Sequence, residues 1–217
     1  VTDYYDLVVT NTGVASTVDG GGTYTVNNNL TVNDGTFTHG NITVGGNYTV
    51  AAGAVANITN VTTSVTGTTS VSGTVNITSA AGTKTFNDLT VNTGGTWNNN
   101  STESFFINGD LTYDGASWTG CSSTACIYNL QGAGNTIGGS SAFTVPQLAI
   151  PGGASYTNNN TGLTVSTVFS GAGSFTNGAT GAVNIGTTSA NFTLSTFNAS
   201  TSGNTVAYTL AGAQNIR

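Results

Sequence analysis

Asp110 and Asp114 are the closest carboxylates in the middle of the chain, and a carboxylate pair beside a base is what proton abstraction from an acidic polysaccharide requires. The base is missing. Eight acidic side chains are spread along the sequence, and Lys84 and Arg217 are the only strongly cationic residues. Asp114 precedes Gly115, as Asp19 precedes Gly20 and Asp34 precedes Gly35, so each reads as a turn residue rather than a catalyst. Asp3 and Asp6 flank Tyr4-Tyr5 but do not repeat as a calcium loop does. His39, before Gly40, reads as a solvent-facing turn residue, far from any second metal ligand. Cys121 and Cys126 are the only cysteines and sit in one short loop; a disulfide is the preferred reading, with zinc a poor competitor. Neither a nucleophile elbow nor a phosphate or dinucleotide loop is present, so no cofactor, no metal and no catalysis are expected.

The elements that hold these residues are short strands. Asn87-Asp88-Leu89-Thr90-Val91 has Leu89 and Val91 alternating with polar neighbours, then Gly94-Gly95. The order polar, apolar, Thr, apolar returns at Asn29-Leu30-Thr31-Val32, Asn41-Ile42-Thr43-Val44, Asn47-Tyr48-Thr49-Val50, Asp110-Leu111-Thr112-Tyr113 and Gly162-Leu163-Thr164-Val165. Leu7/Val9 and Leu148/Ile150 belong to weaker copies. The interior column is therefore read as Leu7, Val9, Leu30, Val32, Ile42, Val44, Leu89, Val91, Leu111, Tyr113, Leu148, Ile150, Leu163 and Val165. Two strand intervals span about 20 to 22 residues, the length of one coil of a β-solenoid. The expected fold is all-β, a parallel β-helix of roughly ten coils, open at both ends, forming one segment over residues 1–217 with a looser second half from about 121. A pair of β-sandwich modules is the competing fold.

Composition narrows the function. Charged residues are 5 % of the 217, against roughly 25 % in ordinary domains, yet 37 % are hydrophobic, enough to fill a narrow core. A net charge of −6 with two cationic side chains leaves nothing to neutralise phosphates or anionic lipid. No apolar run nears the ~20 residues of a membrane span, so neither nucleic acid nor membrane insertion is expected. Tyr128-Asn129-Leu130-Gln131-Gly132-Ala133-Gly134-Asn135 matches Tyr208-Thr209-Leu210-Ala211-Gly212-Ala213-Gln214-Asn215, and the first of these leads on to a strand like that at Tyr5–Val9. That order implies a unit of a longer array, its neighbours being further repeats or copies stacked end to end.

Two surface readings compete with a plain spacer. Trp97, Trp118 or exposed tyrosines could stack against sugars, as a carbohydrate-binding module would. Thr23/Thr25, Thr36/Thr38 and Thr83/Thr85, if stacked on one face, would resemble an ice-binding array; threonine as the favoured outward residue of a strand is the plainer account. Sequons such as those at Asn29, Asn41 and Asn47 would carry glycans only in a host with the machinery.

The phrases Phe86-Asn87-Asp88-Leu89-Thr90-Val91, Phe106-Ile107-Asn108-Gly109-Asp110-Leu111-Thr112 and Tyr208 to Ile216 resemble the repetitive regions of very long bacterial surface adhesins, above all gliding-motility adhesins of the Bacteroidota exported by type 9 secretion. Filamentous-haemagglutinin-like β-helices are a more distant likeness. The resemblance implies an extracellular, cell-surface, non-catalytic stalk or filament with its adhesive tip elsewhere; surface glycans are a further candidate partner.

Overall fold

The computed structural model describes residues 2–11, 17–20, 22–59 and 62–212, with the backbone alone at 17–20. The chain winds as an open parallel β-solenoid. One column of paired residues, buried from Ile42 onward, shows the winding: Thr2, Tyr24, Ile42, Thr63, Lys84, Phe105, Tyr128, Leu148, Phe169 and Phe192 follow one another through nine parallel pairings. These are ten rungs climbed in about nine turns, each turn taking 18 to 23 residues. The expected coil count and parallel stacking are both found, and discrete sandwiches are not.

Each rung has three faces. The first carries the column just traced. The second runs through Leu7, Leu30, Tyr48, Thr69, Leu89, Leu111, Ile137 and Asn158. The third runs through Phe37, Ala56, Val75, Trp97 and Trp118, and then, after an interruption, through Phe143, Leu163, Val183 and Val206. Helix is confined, among the described residues, to the single 3-10 turn Ser189–Asn191.

Alternation does the folding. In a three-residue strand such as Leu30–Val32 the outer residues point inward and the middle one outward, giving a buried, half-buried, buried pattern. Val9, Leu30, Val32, Ile42, Val44, Leu89, Val91, Leu111, Tyr113, Leu148, Ile150, Leu163 and Val165 are all buried, and Leu7, in the first rung, is half-buried. Pro146, which cannot donate to a ladder, falls at the register shift between Val145 and Gln147 where the chain turns from the third face to the first.

The polar residue that opens each copy has a definite task. At the corner between the first and second faces, Asp6 accepts the backbone N–H of Asn29 (2.9 Å), Asn29 that of Asn47 (2.9 Å) and Asn47 that of Thr68 (2.9 Å). Thr68 donates its hydroxyl to Asp88, which accepts the N–H of Asp110, which accepts that of Thr136 (3.2, 2.9 and 2.7 Å). Each side chain thus clamps its own rung to the one above, satisfying donors that a corner would otherwise strand. Glycines permit the same closeness: a Cβ on Gly45 would lie 2.4 Å from the Asn27 carbonyl oxygen, and one on Gly73 2.3 Å from that of Ala51.

Candidate functional site

Asp110 and Asp114 flank the strand Leu111–Tyr113 and do not act together. Asp110 belongs to the corner clamp, and Asp114 accepts both the N–H and the hydroxyl of Ser140 at 2.6 and 2.7 Å, which hold its carboxyl below the usual range. Asp34 is a turn residue bonded to the N–H of Gly35 (φ 72°). Asp19 and Gly20 are not a turn: they lie in the strand Thr17–Gly20, paired with Thr38 and His39. Among the described residues no three His, Cys, Asp or Glu side chains come together as metal ligands do.

His39 is not solvent-facing either. It ends the strand Thr36–His39, where inward Phe37 fixes the parity and sends His39 inside at 1 % exposure. Its Nδ1 lies 2.9 Å from the Gly40 carbonyl and its ring packs edge-on to Tyr48. Burial pushes its pKa down to about 4, with the Lys84 charge adding to the effect and the Gly40 bond opposing it.

The two tryptophans are not stacking platforms. Trp97 is fully buried. Trp118 is half-buried, stacked on Trp97 at 5.9 Å, tilted against Tyr128 at 5.7 Å and T-shaped to Tyr113 and Phe143, so its ring is packed against the core. Tyr5, at 73 % exposure, is the one open aromatic among the described residues. The threonine pairs do not share a face: Thr25 and Thr85 point outward on the first, and Thr36/Thr38 lie on the third. Between them on the first face stand Thr43 and Ser64, and above Thr85 comes Phe106.

Two features hold the middle of the solenoid together. Lys84 and Glu103, the only lysine and the only glutamate, meet inside it: Lys84 is fully buried, Glu103 is 5 % exposed, and Nζ lies 2.7 Å from Oε2. Lys84 also donates to the Ala81 carbonyl (2.5 Å), and the N–H of Ser104 donates to Glu103 Oε1 (3.0 Å). Lys84 enters by the alternation that buries Phe86, and Glu103 by the alternation that buries Phe105. Parity was the signal for both, overridden in a composition-led reading by their charge.

Beside this pair, Cys121 and Cys126 form a disulfide across their loop, with Cα atoms 6.0 Å apart. The Ser101 carbonyl accepts the N–H and hydroxyl of Ser122 at 3.0 and 2.7 Å, and Asn99 donates to the Glu103 and Gly120 carbonyls. At this height the third face opens. The strand Ser117–Thr119 pairs below with Thr96–Asn99 but has no strand pairing above, whereas the first and second faces continue without interruption. The Trp118 indole bridges the gap by donating to the Thr144 carbonyl at 2.9 Å.

The Tyr128–Asn135 and Tyr208–Asn215 strings occupy different places: Tyr128 lies on the first face above Phe105, and Tyr208 on the third above Ile185. Leu130 is buried and Leu210 exposed, so likeness of sequence is not equivalence in the coil; residues 213–215 of the second string lie outside the described residues.

No protein-family model, curated protein or solved structure matches the chain. No helix of the described residues is long and apolar enough to cross a membrane.

Proposed function

We propose that this chain is a non-catalytic stalk or filament segment of an extracellular bacterial surface adhesin. The observation that carries the reading is the ladder itself. Through nine successive steps on the first face, every internal strand is hydrogen-bonded to the one below and the one above. Force along such a rod is shared among two continuous ladders, a third that is interrupted once, and the corner clamps. At ~4.8 Å per step the nine steps give a rod of about 43 Å. The outward residues of the second face are neutral: Thr31, Thr49, Ser70, Thr90 and Thr112 follow one another there. On the third, Asn98 donates to Asn76, Asn76 to Asn57 and Asn57 to Thr38, at 3.0, 3.0 and 3.1 Å. A surface whose amides bond to one another offers little to passing proteins, and few Lys or Arg residues offer few sites for trypsin-like proteases. The likeness to gliding and type 9-secreted adhesins supports the same reading.

The test is in-frame removal of the segment in the organism that makes it, followed by tomography of the cell surface. The expected result is filaments shortened by about 43 Å per unit removed, with attachment to the target retained. Unchanged filament length, or loss of attachment with normal length, would overturn the proposal.

A further inference from the structure

We propose that the opening in the third face is a binding groove for a neutral saccharide unit. Where the ladder above Ser117–Thr119 is interrupted, a groove of about 340 Å³ lies between the sixth and seventh rungs, under the disulfide loop. That volume is at the lower end of the range for small-molecule sites. Its lining includes the hydroxyls of Ser123, Thr124, Thr144 and Ser166, with Trp118 and Pro146 as apolar walls, and contains no charged side chain. An anionic ligand finds no cation there and a cationic one no carboxylate. A pyranose ring matches what is present: hydroxyls for the side-chain hydroxyls, and a C–H face for the indole edge and the proline ring.

The groove is also pre-formed. The Tyr128 hydroxyl donates to the Gly120 carbonyl at 2.9 Å, Gln147 donates from its side chain to the Thr124 carbonyl at 2.9 Å, and the disulfide closes the loop between them. Ligand entry therefore orders little of the protein, which favours even a small sugar. A peptide strand fits less well. The upper edge of Ser117–Thr119 is unpaired, but Gly120 packs closely under the Thr144 carbonyl and the Trp118–Thr144 bond spans the gap, so an added strand would have to displace both. This site is independent of the stalk reading: it stands or falls on binding, whatever the length of the filament.

The test uses the 217-residue chain, immobilised at high density on a broad glycan array so that weak single sites register, then titrated by calorimetry with the best neutral oligosaccharide. Ser166→Phe and Thr144→Phe, both at exposed outward positions, fill the groove. Each is expected to weaken binding at least tenfold with an unchanged melting curve, while Ser64→Phe on the first face leaves binding as it was. Failure of every neutral glycan to bind, binding confined to acidic glycans or peptides, or binding untouched by both groove-filling variants would overturn the assignment.

Discussion

In rungs two to four the interior contains His39, Tyr48, Thr63 and Thr69, and each has a buried polar atom without a hydrogen-bond partner: Nε2, the phenol and two hydroxyls. In rungs nine and ten the same space is filled by Phe169, Phe175, Phe192 and Phe197. Phe192 stacks on Phe169 (5.5 Å, 19°), Phe197 stacks on Phe175 (5.6 Å, 4°), and within each rung the two rings meet edge to face at 90° and 86°. One backbone geometry accepts both fillings. The comparison teaches that the ladder fixes the shape while the interior sets local stability, and that the lower region is where stability has been left unclaimed.

The largest effects are expected where the interior is tightest or charged. Phe169→Ala in the aromatic block should cost about 3–5 kcal/mol in chemical denaturation, because four mutually packed rings leave no room to collapse around the void. Lys84→Met should cost a similar amount, about 3–5 kcal/mol, by leaving Glu103 buried without its partner. The double variant Lys84→Met/Glu103→Leu should recover most of that loss, since an apolar pair of similar volume avoids desolvating two charges. Equal losses in the single and double variants would show that packing rather than charge is what the pair supplies.

A smaller effect follows from His39. Its folded pKa of about 4 lies below the unfolded value of 6.5, so between these values the unfolded chain binds more protons than the folded one. Stability is therefore full above about pH 6.5 and falls as the pH drops toward 4, by roughly 3 kcal/mol over the window. His39→Leu should abolish that slope. Other groups separate from it by pH: the neighbouring Tyr48 phenol, raised by burial, stays neutral throughout, and Asp114, four rungs away with its carboxyl depressed by Ser140, contributes only at more acid pH. The aromatic block has no such group, so Phe169→Ala should lower the whole pH curve without changing its shape.

These tests bear on what could be read from the chain beforehand. Coil length, parallel stacking and the inward column were legible because Leu30/Val32 or Leu89/Val91 carry the alternation openly. The interior places of His39, Lys84 and Glu103 follow from the same parity, through Phe37, Phe86 and Phe105, but composition makes a buried charge an unexpected reading. Trp97 lies between Val75 and Trp118 in a column that runs vertically, and vertical neighbours about 20 residues apart are visible only once the register is known. The opening above Ser117–Thr119 had no signal beyond the cysteine pair in the adjoining loop. The Tyr128 and Tyr208 strings are alike yet lie on different faces for a physical reason: a rung repeats one strand pattern on three faces, so a matched string identifies a strand without identifying its face.

The disulfide comes next in size. Replacing Cys121 and Cys126 by serine should cost about 2 kcal/mol, the chain-entropy value for so short a loop. If the loop is also what shapes the groove, sugar affinity should fall by more than the melting temperature would suggest. A loss of stability with full affinity would instead assign the groove to Trp118, Thr144 and Pro146 alone.

The smallest expected effect is also the one that bears most directly on the comparison. Thr63 and Thr69 each hold a methyl and an unpartnered hydroxyl in the interior of the fourth rung. Val is nearly the same shape, so Thr63→Val removes a desolvated hydroxyl without making a void, and stability should rise by about 1 kcal/mol. Thr69→Val should do the same, and because the two lie in one rung their gains need not add. The corresponding change in the aromatic block, Phe175→Tyr, introduces a hydroxyl where four rings already fill the space, and should lower stability by about 1–3 kcal/mol. Opposite signs for these substitutions would show that the lower interior tolerates polar atoms at a cost the upper interior avoids. A destabilising Thr63→Val would mean instead that its hydroxyl is satisfied in solution, and that the two regions are equally well packed.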